Sequence, residues 1–257
     1  MYEITKILPR NVFDDLLKIL PKPRQKRYGR KRCKFEAILN GVLQVLVNDV
    51  AWMKIAPCGA SYGTCYRYFK EIQRCGKLKL VFETLSREKT DIKEGAIDTN
   101  SISSFRFRRM TGWCGKHKKP STKISLFTDI KGLPADVSFG KGGMDDRDFV
   151  PIHLNNGGYR RKITTLNLDK GYTGADLRRN LRKRGIYLNM QTKTGDYIRK
   201  IGPKFGFKED KYKTRFLIEK VFAWMENFRH IKLRREFKPA MYKAFVYLSL
   251  ILILLRS

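Results

Sequence analysis

Apolar residues recur at helical spacing as far as Leu85, and extended segments take over from Gly95. This change of period near residue 90 constrains the fold more than any other feature of the chain. A 3.6-residue period buries one stripe of a helix, and a two-residue period buries one face of a strand. The two halves must therefore be built differently: helices to about residue 90, and a sheet with interspersed helices beyond it.

In the first half, Asn11 can cap a helix to about Leu20, with Asp14 in its first turn. Phe35–Val47 repeats apolar residues at Phe35, Ile38, Leu39, Val42, Leu43 and Leu46, and a turn follows at Asn48 and Asp49. After a loop over 57–63, Thr64–Arg74 reads as a helix that stops at Gly76. Its Arg67, Lys70 and Arg74 face outward. Leu78–Leu85 closes the set, and the polar stretch Ser86–Glu94 marks a boundary. Helix, turn and basic helix is the outline of a helix-turn-helix module, and small helical bundles share it.

The second half reads as strands at 95–102, 124–129, 134–139, 162–169 and 186–190. Lys131-Gly132 turns the second into the third as a hairpin. Short helices fall at 146–153 and 175–184, the latter ending at Gly185. Antiparallel strands followed by alternating helix and strand give an α/β fold with a mixed sheet. The expected domains are 1–90, helical, and 91–257, α/β.

Charge speaks to partners. Lys and Arg number 55 against 24 Asp and Glu, a net charge of +31. A chain so basic expects a polyanion. Residues 22–34, KPRQKRYGRKRCK, hold eight cations and no acid, which reads as a DNA-tracking arm or a localisation signal. A second basic stretch, 105–123, interleaves Phe105, Phe107 and Trp113 with its cations. The three aromatics can stack on an unpaired base, with core packing the stronger reading for the two Phe. The cations expected on DNA are Arg30, Lys31, Arg32, Arg67, Lys70, Arg106, Arg108, Arg109, Lys116, Lys118 and Lys119. Five cysteines without a CxxC point to neither a disulfide framework nor a zinc site, and fit a reducing compartment. The start shows no apolar signal core. The apolar run 244–255 is shorter than the roughly 20 residues a membrane span needs and reads as a buried C-terminal helix.

Tyr212–His230, YKTRFLIEKVFAWMENFRH, holds most of the candidate chemistry. As one continuous helix it places Leu217, Val221, Trp224, Met225 and Phe228 on a core stripe. Tyr212, Arg215, Glu219, Glu226 and His230 fall opposite. The plain reading is a surface helix with an Arg215–Glu219 pair at i, i+4. The sharper reading aims Glu219 into a site. Asp98 lies in the first strand and Asp169 ends the fourth, where ligands gather at strand ends. Three converging carboxylates require a cation, and hard oxygen donors select Mg²⁺ or Mn²⁺. Singly, Asp98 can cap a turn and Asp169 can be an ordinary strand-end residue. His117, His153 and His230 have no motif around them and read as solvated or core histidines.

IDTNS at 97–101, LDKGYTG at 168–174 and YKTRFLIEKVFAW at 212–224 resemble the three acidic motifs of insertion-sequence transposases of the DDE type. The last carries Tyr-x2-Arg-x3-Glu of their Tyr-Arg-Glu-Lys signature. KISLFTDIKGLPADVSFGKGGMDD resembles their strand pair, and the N-terminal portion from GRKRCKFEAILNGVLQVL to TCYRYFKE is similar as well, so the likeness covers nearly the whole chain. The signature's Lys would be residue 226, which is Glu226 here, with Arg229 and Lys232 as nearby cations.

The resemblance implies an RNase H-like core after a small helix-turn-helix-like domain, with Asp98, Asp169 and Glu219 binding two Mg²⁺ (or Mn²⁺). Tyr212 and Arg215 would orient Glu219 or touch the DNA backbone. It further implies cleavage at element ends bearing terminal inverted repeats, transfer of the 3′-hydroxyl to target DNA, a homodimer on DNA, and a cytoplasmic, nucleoid-associated protein. A nuclease of the same fold without strand transfer, and a decayed DNA-binding copy, are the alternatives.

Overall fold

The computed structural model describes residues 8–23, 28, 31–105, 109–156, 163–191 and 207–257. Arg30, Arg106, Phe107 and Arg108 lie outside the described residues, as does much of the basic arm at 22–34. In chain order the helices of the first half are α1 (Arg10–Ile19), α2 (Phe35–Asn48), α3 (Tyr62–Arg74) and α4 (Lys77–Lys89). Then come β1 (Glu94–Ser104), β2 (Gly112–Cys114), β3 (Lys119–Asp129), β4 (Pro134–Lys141), α5 (Phe149–Asn155), β5 (Thr165–Asn167), α6 (Ala175–Lys183) and β6 (Tyr187–Asn189). The chain ends with α7 (Glu209–Lys213), α8 (Phe216–Glu226), α9 (Arg229–Lys232), β7 (Leu233–Arg234) and α10 (Pro239–Arg256).

Two compact units result. One comprises Met1–Leu85, Ser103–Arg109 and Trp224–Ser257; the other comprises Ser86–Ile102 and Met110–Ala223. The first unit thus joins the N-terminal helices to the C-terminal one. α10 carries a long apolar sequence, and its side chains from Phe245 to Leu254 are buried apart from Tyr247. Phe245 stacks 4.3 Å from Phe69 of α3, and Trp52 lies 6.0 Å from the same ring. A helix apolar on most of its circumference needs neighbours all round, and α1 and α3 provide them. His230 is buried in this unit, with Nδ1 2.8 Å from Asp49, the left-handed residue that ends α2. Arg234 is fully buried, and its guanidinium donates to the main-chain oxygens of Arg109 and Glu236.

In the second unit β1 is central. β3 and β4 form the expected antiparallel hairpin, with Ile124 opposite Phe139. β1, β5 and β6 run parallel, and the strand order is β2-β3-β1-β5-β6 with β4 also on β3. Ile97, Phe127, Val150, Leu166, Leu181 and Leu188 pack together as its core.

Three local expectations need correction. β3 begins at Lys119, not Ile124, because β2 pairs with its first residues, Gly112 opposite Ser121; strand pairing, not apolar alternation, sets that start. α4 continues to Lys89 through the polar stretch, since Ser86 is fully buried and donates to the Ala135 oxygen at 2.7 Å. The supposed single helix at 212–230 is three helices, broken at Thr214–Arg215 and at Asn227–Phe228. The first break changes the register of the faces. Ile218, Val221, Phe222 and Met225 are buried, whereas Trp224 is 46% exposed. Tyr212, Arg215 and His230, expected on the polar side, are buried.

Candidate active site

Asp98 sits mid-strand in β1, on the face opposite the fully buried Ile97. The parallel register of β1 and β5 pairs Ala96 with Asn167. Asp169 lies two residues beyond the end of β5, and its charge acts on Asp98. Asp169 stands at the N-cap position of a one-turn 3₁₀ helix over Lys170–Tyr172, without a side-chain cap hydrogen bond. The buried Tyr172 then reaches back, its hydroxyl 3.2 Å from the Thr99 hydroxyl, and ties the turn to β1.

Arg215 is the cation of the site. Its side chain is 9% exposed, with Nη1 3.8 Å from Asp98 Oδ2 and Nη2 3.4 Å from Glu219 Oε1. The guanidinium lies over two rings, 5.5 Å from Tyr212 and 4.9 Å from Phe216, which fixes its plane. The break between α7 and α8 makes this possible, because it turns Arg215 inward while Glu219, one turn into α8, keeps a 55% exposed side chain.

Two asparagines hold this segment to the sheet. Asn189 of β6, fully buried, accepts from the Lys208 N–H at 3.0 Å and donates to the Lys208 oxygen at 2.9 Å. It also donates to Asn167 of β5 at 2.8 Å, and Asn167 reaches Thr214 at 3.5 Å. Lys211 pairs with Glu94 at the start of β1. Gly132, in the β3–β4 turn, has φ +79°, and a Cβ there would stand 2.8 Å from that of Leu217 in α8. Only glycine supplies both the left-handed backbone and that close approach.

Burial raises the Asp98 carboxyl to about 6, the Thr99 N–H and Arg215 oppose the rise, and Asp169 and Asp146 add to it. Tyr212 is also raised, mainly by burial, beside Arg215 and Asp169. Asp169 and Asp146 thus both act on Asp98, whose nearest counter-charge is Arg215. Asp146, with its carboxylate 2.6 Å from the largely buried Lys123 Nζ, was not singled out in the sequence because neighbouring acids crowd that stretch.

By chemistry Asp98 and Asp169 suit a hard divalent cation: both are carboxylates, the charge of Asp169 acts on Asp98, and Asp98 is costly to ionise without a counter-charge. The set does not extend to Glu219, which Arg215 holds. Among the described residues no group of three Asp, Glu, His or Cys side chains is close enough to share one ion.

Residues 89–255 match the transposase DDE domain family. The chain belongs to that family. Its activity is therefore DNA transposition, a form of DNA recombination. Among solved structures, a cryo-EM piggyBac transposase synaptic complex with hairpin DNA is similar at TM-score 0.52 and 10% identity, over 96% of this chain and 70% of that one. That likeness agrees with an RNase H-like core in this transposase. A pre-cleavage Mos1 transpososome and a Mos1 mariner paired end complex with Mn align at TM-score 0.27 and 12% identity, over 91% and 93% of this chain and 79% and 83% of those, too low to bear on the fold. No curated protein matches the chain in sequence.

The other predicted residues of the transposase fall in both units. Arg67 and Lys70 are exposed on α3 and, with Arg74, line a cavity of about 540 Å³. Lys31 is exposed and Arg32 half-buried. Arg109, Lys116, Lys118 and Lys119 are exposed, as are Trp113 at 62% and Phe105 at 50%, so Phe105 is not a core residue. Of the histidines, His117 is solvated and His153 and His230 are buried.

Proposed function

We propose that this transposase cuts DNA at element ends carrying terminal inverted repeats and joins the freed 3′-hydroxyl to target DNA. Asp98 in β1 with the charge of Asp169, just past β5, acting on it and Arg215 beside it supports this reading. Asp98 and Asp169 would hold a divalent cation, Mg²⁺ or Mn²⁺, and Glu219 would complete a two-ion site once Arg215 turned to DNA phosphate. Such ions supply activation of an attacking hydroxyl and stabilisation of the departing oxygen at a phosphodiester.

The chain's own residues do the positioning. The Thr99 N–H fixes one Asp98 oxygen at 2.8 Å. Arg215, seated against the Tyr212 and Phe216 rings, offers a planar fork matched to a phosphate. Tyr212, beside Asp169 and Arg215, orients both. Lys31, Arg32, Arg67 and Lys70, together with Arg30, would grip the element ends through a helix-turn-helix-like N-terminal region. Arg109, Lys116, Lys118 and Lys119, with Arg106 and Arg108, would track the phosphates near the cut. Two ends held together call for a homodimer on DNA, in the nucleoid-associated cytoplasm.

The test uses the purified chain, a duplex bearing its own inverted repeats, and Mg²⁺. Cleavage and strand transfer are expected, and Asp169→Ala should abolish both while DNA binding survives. Cleavage that persists alike in Asp98→Ala, Asp169→Ala and Glu219→Ala overturns the site. Cleavage without joining leaves a nuclease.

A further inference from the structure

Gly41 is buried in the middle of α2, where glycine is a poorer helix former than alanine. Two cysteines account for it. A Cβ at Gly41 would stand 2.5 Å from Cys65 Sγ and 3.4 Å from Cys58 Sγ. Both sulfurs therefore border one point, the space that a side chain at 41 would fill. Cys65 comes from the first turn of α3, and Cys58 from the loop before it. That loop is held from α2: the Ala56 N–H donates to Gln44 Oε1 at 2.8 Å, and Gln44 Nε2 donates to the Ala56 oxygen at 3.3 Å.

The two thiols differ in access. Cys58 is half-buried and lines a cavity of about 950 Å³, which Cys33 also borders. Cys65 is fully buried, and its thiol is pushed up to about 12, first by burial and then by Cys58 beside it. A thiol attacks as its thiolate, so at neutral pH an oxidant reacts with Cys58 first. The only hold on the Cys58 sulfur among the described hydrogen bonds is its donation to the Ala60 oxygen at 3.5 Å, and a thiol is a weak donor.

We propose that Cys58 and Cys65 are an oxidation-sensitive pair that a hydroperoxide converts to a disulfide. The Cys58 thiolate attacks the outer oxygen of the peroxide and the O–O bond breaks. Cys58 is left as a sulfenic acid, and the other oxygen takes a proton and departs as water or an alcohol. The Cys65 sulfur then attacks the sulfenic sulfur and the S–O bond breaks. The departing hydroxide takes the Cys65 proton and leaves as water. Two thiols lose two electrons and the peroxide gains them. Transient, redox-sensing disulfides of this kind are the ones a reducing compartment permits. The pair is independent of the acidic site. It gave no sequence signal, because no CxxC marks it and Gly41, which makes room for it, lies on another helix.

The test treats the reduced full chain with hydrogen peroxide, alkylates the remaining thiols in denaturant and weighs the tryptic peptides. Lys54 and Arg67 place both cysteines in one peptide, 55–67, and Cys33 in another. The expected product is peptide 55–67 lighter by two hydrogens, with neither sulfur alkylated, and restored by dithiothreitol. Dimedone should label Cys58 in Cys65→Ser, where the second step is blocked, and Cys65 should stay alkylatable in Cys58→Ser. The exposed Cys75 reports that the oxidant is active. Both sulfurs of 55–67 still alkylated after Cys75 is oxidised overturns the proposal, as does a bond from Cys58 to Cys33. A dimedone adduct on Cys65 in Cys58→Ser overturns the order of attack. The peptide readout uses the parent chain, so it stands even where a variant does not fold.

Discussion

Arg215 and Asp98 meet at 3.8 Å, one from the break between two helices and one from the middle of the central strand. No other cation comes as close to Asp98 among the ion pairs of the described residues. Replacing Arg215 by Ala removes it, and replacing it by Lys loses the planar fork and its seat on two rings. Cleavage by Arg215→Ala should fall about 10²-fold, the loss seen when one preorganised electrostatic group is removed. Single-turnover cleavage assays check this, with Arg215→Lys expected to recover only part.

Asp98 destabilises the fold when it is charged. Its folded value near 6 lies above the ordinary 3.8, so the folded state favours the protonated form. The stability this gives is fully present below pH 3.8 and is lost as pH rises through 6. Asp98→Asn should therefore be more stable than the parent at pH 8 in chelator-containing buffer, by up to about 3 kcal/mol, and no more stable near pH 3.5. Denaturant titrations at the two pH values check the sign.

Divalent cation should act in the opposite direction. A ligand that binds only the folded state stabilises it by mass action. Mg²⁺ or Mn²⁺ should raise the melting temperature of the parent and leave Asp98→Asn and Asp169→Asn nearly unmoved. Calorimetric scans with and without cation check this independently of catalysis.

Asn189 holds the Lys208 peptide through both its N–H and its C=O. Asn189→Ala would bury those groups without partners, at a cost of about 1–3 kcal/mol for each unsatisfied group. The loss should appear first as protease sensitivity near residue 208 and as weaker cleavage, because the same segment carries Arg215. Limited proteolysis and denaturant midpoints are the measurements.

Lys116, Lys118 and Lys119 are exposed around a tight turn beside Trp113. If each contacts a phosphate, changing all three to Ala should reduce the slope of log K against log salt by about 2.7 for duplex DNA. Binding isotherms at several salt concentrations read the slope. An unchanged slope removes this face from the DNA interface.

Much of the fold was legible because periodicity reports burial. The change of period near residue 90, the β3–β4 hairpin about Lys131-Gly132, the stop of α6 at Gly185 and the burial of α10 all follow from local chemistry. The acidic motifs named Asp98, Asp169 and Glu219, and the charge named a polyanion. Breaks that depend on distant partners were not legible. A continuous helix over 212–230 would put Trp224 inside and Arg215 outside, since nothing local says that a helix stops at Thr214. Asn189, Asn167 and Gly132 impose that stop from elsewhere in the second unit.

The sequence alone determined which residues carry charge, which prefer helix or strand, and the family to which the chain belongs. Tertiary structure alone decided that Arg215 is buried against Asp98, that Glu219 remains on its far side, and that Cys58 and Cys65 both border Gly41. The physical reason is range: propensity and periodicity act over a few residues, whereas desolvation and hydrogen-bond satisfaction depend on groups brought together from far along the chain.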